Sequence, residues 1–217
     1  MRTLLALGAA LAISTSAQAA TNLVVNGGFE TGVAPVGIAL LATNDTTSIP
    51  GWKVLSNGVN YADNSIWDAA DGSRSVKLAT VGGNGGILQS VAGFIKGYRY
   101  RLTFNVSADP FDPATRPKPS RVLVSVTGGV AEIYAYTLTT ANTATNMLYD
   151  TVAYDFVAGG AHQNVQFRSL VGSQYGPVID GVNISVVPEA STWAMLVAGF
   201  SLVGLASRRR SRGAVSA

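Results

Sequence analysis

Tyr98-Arg99-Tyr100-Arg101-Leu102-Thr103-Phe104-Asn105-Val106-Ser107 decides the fold. Tyr98, Tyr100, Leu102, Phe104 and Val106 fall on one side of an extended chain, and Arg99, Arg101, Thr103, Asn105 and Ser107 on the other. That period of two predicts a strand with one buried and one wet face. The alternation returns at Val122, Val124 and Val126, at Val165, Phe167 and Ser169, and at Val182, Ile184 and Val186. Residues 133–138 and 151–157 read as further strands. Shorter ones are expected at 23–25, 52–55, 75–79 and 87–91. Turn signals punctuate them: Asn26-Gly27-Gly28, Pro50-Gly51, Asp71-Gly72, the Gly-rich run 82–86, Gly128-Gly129 and Gly159-Gly160. No stretch between the chain ends carries a helical stripe. Many short strands with frequent turns predict an all-β fold, a jelly-roll β-sandwich. The Pro-rich run 109–119 is expected as a surface loop, since strands follow on both sides.

The ends have a different grammar. Met1-Arg2 precedes an apolar stretch at 4–13, and Ala17-Gln18-Ala19 closes it. That order predicts a secretory signal peptide over 1–19, cleaved after Ala19. At the other end no charge stands between Ala190 and Ser207, and Arg208, Arg209, Arg210 and Arg212 follow. This is about the minimum for a spanning helix at ~1.5 Å per residue. The arginines are expected to stay cytoplasmic, which puts the body of the protein outside. The chain therefore divides into a signal peptide (1–19), a domain (20–187) and a membrane tail (188–217).

The net charge of +3 misleads, because Arg2 and the four tail arginines account for five of the fifteen Lys and Arg. Ten remain in the domain, against eleven acids once Glu189 is taken from the twelve. A near-neutral domain gives no electrostatic case for nucleic acid. With Cys 0 there are no disulfides, no thiol chemistry and no cysteine zinc site.

The tail resembles the PEP-CTERM sorting signal of Gram-negative, exopolysaccharide-producing bacteria. The matching residues are Val187-Pro188-Glu189, Ser191-Thr192-Trp193-Ala194-Met195, Gly199-Phe200, Gly204-Leu205 and the arginine cluster. Ala190 stands where that signal usually has proline. The resemblance implies recognition by an exosortase, cleavage near Pro188-Glu189, and release or re-anchoring at the cell surface or in the extracellular matrix.

The domain resembles the choice-of-anchor C group, related to a plant cell-wall family called domain of unknown function 642. The motifs run in order: 22–30 (Asn-Leu-Val-Val-Asn-Gly-Gly-Phe-Glu), Ile49-Pro50-Gly51-Trp52, Trp67-Asp68-Ala69-Ala70-Asp71-Gly72, 73–78 (Ser-Arg-Ser-Val-Lys-Leu), 85–90 (Gly-Gly-Ile-Leu-Gln-Ser) and 176–182 (Gly-Pro-Val-Ile-Asp-Gly-Val). Gly181 stands where the family often has a second aspartate. The resemblance implies a galactose-binding-like jelly roll and a non-catalytic module associated with carbohydrate or cell-wall polymer.

Catalytic motifs are missing from the sequence. There is no Gly-x-Ser-x-Gly, no His-Glu-x-x-His, and Ile87 occupies the place a P-loop lysine would need. His162, the only histidine, reads as a solvated turn residue. Asp68 and Asp71 are too close in sequence to straddle a sugar as a glycosidase pair does. No enzyme is expected. A structural calcium is expected at Glu30 and Asp180, the places where related carbohydrate-binding jelly rolls often hold it. The alternative is that Glu30 caps a turn and Asp180 bonds backbone amides. Sugar binding needs exposed aromatic rings with polar neighbours. Tyr61, Trp67, Tyr134 and Tyr136 are the candidates, with Tyr175 behind them and Trp52 expected in the core. The expected partners are a polysaccharide, the processing signal peptidase and exosortase, and the membrane. A structural surface protein without a specific ligand and a glycoside hydrolase are the alternatives.

Overall fold

The computed structural model describes residues 21–112, 114–188 and 197–202. In chain order its strands are β1 (Ile38–Leu41), β2 (Lys53–Val54), β3 (Val59–Asp63), β4 (Arg74–Lys77), β5 (Ala79–Thr80), β6 (Gly83–Asn84), β7 (Gly86–Ala92), β8 (Arg99–Ala108), β9 (Ser120–Val126), β10 (Glu132–Tyr136), β11 (Asp150–Val157), β12 (His162–Ser169) and β13 (Pro177–Val186). Two antiparallel sheets face each other. One has six strands in the order β1-β3-β4-β13-β8-β11, the other five in the order β10-β9-β12-β7-β2, and β5 pairs with β6 beside them.

The alternating side chains of β8 build the interior. Tyr100, Leu102, Phe104 and Val106 are buried, and so are Val122, Val124 and Val126 of β9 and Val165 and Phe167 of β12. Phe104 meets Phe167 edge-on at 5.0 Å between centroids. Burying each such side chain contributes about 1.5–3 kcal/mol, which is why the period-two pattern fixes the register.

Three expectations change. Residues 23–25 are not a strand. Leu23 N–H donates to the Ile184 carbonyl at 2.9 Å, while the Gln89 side-chain amide accepts from Val25 N at 2.8 Å and donates to Val25 O at 2.8 Å. One side chain there does the work of a strand partner. The Gly-rich run 82–86, expected as a turn, supplies β6 and the start of β7. A Cβ on Gly85 would lie 1.9 Å from the Gly58 carbonyl oxygen, so only glycine permits that approach. His162 is exposed, but it begins β12 rather than sitting in a turn.

Residues 197–202 are helical and expose Val197, Phe200 and Leu202. Among the described residues no helix is long and apolar enough to cross a membrane. The signal peptide with Ala17 and Ala19, and Glu189, Ala190, Arg208, Arg209 and Arg210 of the tail, lie outside the described residues. Pro188 is described and exposed.

Candidate functional site

Most of the aromatic rings expected to meet sugar are packed inside. Tyr61 and Trp67 are buried, at 0% and 1% exposure, and Tyr136 at 5%. Tyr61 donates its hydroxyl to the Phe29 carbonyl. Trp67 donates from Nε1 to Ser75 Oγ at 2.8 Å. Tyr136 donates to the Leu148 carbonyl at 2.6 Å. A ring with no accessible face cannot stack on a sugar, so these three are corrected to core residues. Trp52 is buried as expected. Tyr134 and Tyr175 are half-buried.

Trp67 explains why its burial was hard to foresee. It belongs to a second, smaller core formed with Ala62, Met147 and Val178. That core lies on the outward side of the six-stranded sheet, where the alternation of β8 predicted water. Two segments close over it: Asp68 N–H donates to the Ala144 carbonyl at 2.8 Å, and the Tyr149 hydroxyl to the Asp68 carbonyl at 2.9 Å. Beneath them Lys77 Nζ meets Asp109 Oδ2 at 2.6 Å, both side chains nearly sealed from water.

Glu30 and Asp180 hold the loop between β3 and β4 from two sides. Glu30 Oε1 accepts from Ser73 N and Arg74 N, each at 2.8 Å, and Oε2 accepts from Ser73 Oγ at 2.7 Å. Asp180 Oδ2 accepts from Ala70 N and Asp71 N, each at 2.9 Å, and Oδ1 from Gly181 N at 2.7 Å. Burial pushes the Asp180 carboxyl up to about 7, against the pull of those three amides. Calcium takes carboxylate and carbonyl oxygens. Here the atoms turned toward the two carboxylates are N–H and O–H donors. Among the described residues no group of three or more His, Cys, Asp or Glu is placed to hold a metal. These two carboxylates staple a loop.

A cleft opens where the free edges of the two sheets meet. β10 ends one sheet and β11 the other. A cavity of about 400 Å³ lies there, lined by Arg99, Gly129, Glu132, Tyr154, Asp155 and Phe156 among others. Tyr154 and Phe156 lie beneath it, buried in the main core and stacked 5.9 Å apart. The Tyr154 hydroxyl donates to the Val130 carbonyl at 2.6 Å, a bond that needs Gly129, whose Cβ would stand 2.5 Å from that oxygen. On the rim Arg101 clamps Asp155 through two bonds of 2.7 and 2.8 Å. That guanidinium holds the Asp155 carboxyl below its usual range. Tyr134 adjoins the cleft: its hydroxyl bridges Glu132 Oε2 at 2.7 Å and the Ala153 carbonyl at 3.1 Å, joining the two edges.

Of the residues singled out in the sequence, only Tyr134 belongs to this place. Arg99, Glu132, Tyr154 and Asp155 went unmarked, because nothing local says that two strands 14 residues apart close one cleft. Asp68 and Asp71 sit on the stapled loop. Asp71 lies against Gly28, whose Cβ would be 3.1 Å from Asp71 Oδ2.

Residues 22–185 match the family described as "Protein of unknown function (DUF642)". No curated protein matches the chain in sequence. Among solved structures, a family 16 carbohydrate-binding module is similar at 19% identity with a TM-score of 0.48, covering 75% of this chain and 99% of that one. A family 35 carbohydrate-binding module from Clostridium thermocellum is similar at 14% identity and a TM-score of 0.46, covering 70% and 99%. TmCBM61, solved with β-1,4-galactotriose, gives 15% identity and 0.43, covering 78% and 99%.

Proposed function

The chain belongs to the family of proteins of unknown function DUF642, and on that premise we propose that it is a non-catalytic module that binds polysaccharide. The observation that carries this reading is the cleft between β10 and β11. A volume of about 400 Å³ lies within the range of small-ligand sites. A sugar ring offers an apolar face and a rim of hydroxyls. Tyr154 and Phe156 are themselves core residues, at 2% and 6% exposure, so what the cleft offers is polar: Arg99, Glu132 and an Asp155 already fixed by Arg101, which suit the hydroxyl rim. Fixed polar groups cost less ordering entropy on binding than mobile ones.

Asp155 is unsuited to be the acid of a glycosidase pair. Glycosidases need one carboxyl that keeps its proton at working pH. Asp155 is held in the opposite direction by Arg101.

In this reading residues 1–19 direct export, signal peptidase removes them, and an exosortase recognises 188–217. The domain then acts at the cell surface or in the extracellular matrix. What supports this is the sequence pattern of the two ends, from Ala17-Gln18-Ala19 to the closing arginines.

A glycan-array screen of the full chain, followed by titration of the best ligand, tests the proposal. Asp155→Ala and Tyr134→Ala are each expected to weaken binding ~10-fold. Saturable binding untouched by both would move the site elsewhere. No binding by the folded protein would favour a structural surface protein acting through self-association. The observation on that side is edge strand β1, where Leu40 is 69% exposed and nearby Val36 is 99% exposed.

A further inference from the structure

The two sheets divide the charges of the domain unequally. The six-stranded sheet carries Asp63, Asp150, Asp155 and Asp180 in its strands, balanced by Arg74, Lys77, Arg99 and Arg101. The five-stranded sheet carries one carboxylate, Glu132 on its edge strand. That side chain shares its face with Tyr134, which packs on Phe104, and with buried Tyr136, so it turns toward the interior. The outward face of this sheet presents Lys53, Arg121 and Arg168, with Lys118 on the loop entering β9. Among the described residues no carboxylate lies within ion-pair distance of these four. Two acidic side chains in the loops are engaged locally: Asp45 accepts from Thr47 and Ser48, and Asp112 from Thr115.

Three of the four cations border two adjoining depressions. One, of about 260 Å³, is lined by Ser56, Asn57, Asn84, Leu123, Arg168 and Leu170 among others. The next, of about 350 Å³, is lined by Pro117, Lys118, Pro119, Arg121, Leu170 and Ser173 among others. Leu170 lines both, so they adjoin and together make one grooved strip across this face. The strand register sets the spacing of its charges. Arg168 stands opposite Leu123, and Leu170 N–H donates to the Arg121 carbonyl at 3.0 Å. The two arginines are therefore diagonal neighbours about 7–8 Å apart along the backbone. Gly86 faces Arg168 across the strand pair. A Cβ there would lie 2.5 Å from the Phe167 carbonyl oxygen and 3.1 Å from the Arg168 stem, so the glycine permits the close strand approach that lays that stem beside it.

We infer that this groove binds an acidic polysaccharide, taking its carboxylates on Arg168, Arg121 and Lys118 and its hydroxyls on the neighbouring amides and serines. The inference rests on the glycan-binding reading above and adds a second site with a stated ligand class. Arginine and carboxylate form charge-assisted, bidentate bonds that a neutral sugar cannot match. Asn57, Asn84, Ser56 and Ser173 supply donors and acceptors suited to hydroxyls. Nucleic acid fits less well: neither depression is lined by an aromatic ring on which a base could stack.

The test is calorimetric titration of the full chain, held in detergent micelles at low salt, with alginate, with carboxyl-reduced alginate and with a DNA duplex. Alginate is expected to bind saturably and to weaken as salt is added. Arg121→Gln and Arg168→Gln should each weaken it ~10-fold or more, and the triple variant with Lys118→Gln should abolish it. All three side chains reach solvent, and neutral-glycan binding at the β10–β11 cleft should persist in the triple variant. Alginate binding unchanged in the triple variant would overturn the inference. So would equal binding of the carboxyl-reduced polymer, or DNA binding as tight as alginate. A neutral glycan bound with alginate ignored would sink this inference and leave the glycan-binding reading standing. Failure to bind any glycan would remove both.

Discussion

The outward sides of the two sheets began from the same sequence rule and ended differently. On β9 and β12 the alternate residues face water, and Arg121, Gln166 and Arg168 stay accessible. On the six-stranded sheet one end is roofed over. Ser107 and Asp180 stand at 0% exposure, and Lys77 at 6%. The roof is the loop carrying Trp67 and the segment carrying Met147 and Tyr149. Alternation fixes which side chains share a face, and long loops decide whether that face is dry. One outward side has become part of the scaffold, while the other is free to recognise something.

The sharpest way to break this contrast is to unroof the sheet. Trp67→Ala removes the largest side chain of the second core and is expected to cost ~3–5 kcal/mol in urea denaturation. A loss below about 1 kcal/mol would mean that the roof is ornamental.

The buried pair beneath it should respond almost as strongly. Lys77→Met takes the cation from buried Asp109 and leaves it only the Phe111 N–H, at an expected cost of ~3–5 kcal/mol. The double change Lys77→Met with Asp109→Leu should recover much of that, because an apolar pair needs no desolvation. A double variant as unstable as the single one would show that the pair's hydrogen bonds, rather than its charges, hold the loop at Phe111.

Asp180 adds a pH signature to the roofed side alone. Its folded carboxyl sits at about 7 against 3.8 for the ordinary group. Folding therefore takes up a proton between those values. Its contribution to stability is fully present below 3.8 and is lost as pH rises through about 7. The decline is expected to be roughly 1–4 kcal/mol. Asp180→Asn should flatten it in denaturation curves across that window. Adding calcium or a chelator at pH 7 should leave the midpoint where it was. A calcium-dependent rise would restore a metal at Glu30 and Asp180.

The bare side should give the smallest response. Arg168→Gln is expected to change stability by less than about 0.5 kcal/mol. A larger loss would show that the five-stranded sheet needs its outward cation for folding, and the contrast between the two sides would fail.

How far the sequence could be read follows the same division. The strands with two unlike faces were legible: β8, β9, β11, β12 and much of β13. Strand β3 was not, because its pattern is buried almost throughout and shows no period of two. Its Ala62 lies under the second core rather than facing water. The aromatics misled for a related reason. Trp67 and Tyr61 carry the amphipathic character of sugar-binding rings, but each finds its polar partner inside the protein, at Ser75 Oγ and the Phe29 carbonyl. A hydrogen-bond handle on a ring does not reveal whether its partner will be a ligand or a buried atom.

The sequence by itself determined the β class and the two-sheet interior. Local periodicity and turn chemistry suffice for these, since they act between near neighbours in the chain. Only the tertiary structure decided that Glu30 and Asp180 grip one loop, that β10 and β11 leave a cleft between them, and that Lys118, Arg121 and Arg168 share a groove. Each depends on residues far apart in sequence meeting through sheet order and register, and none of the three is written in any single segment.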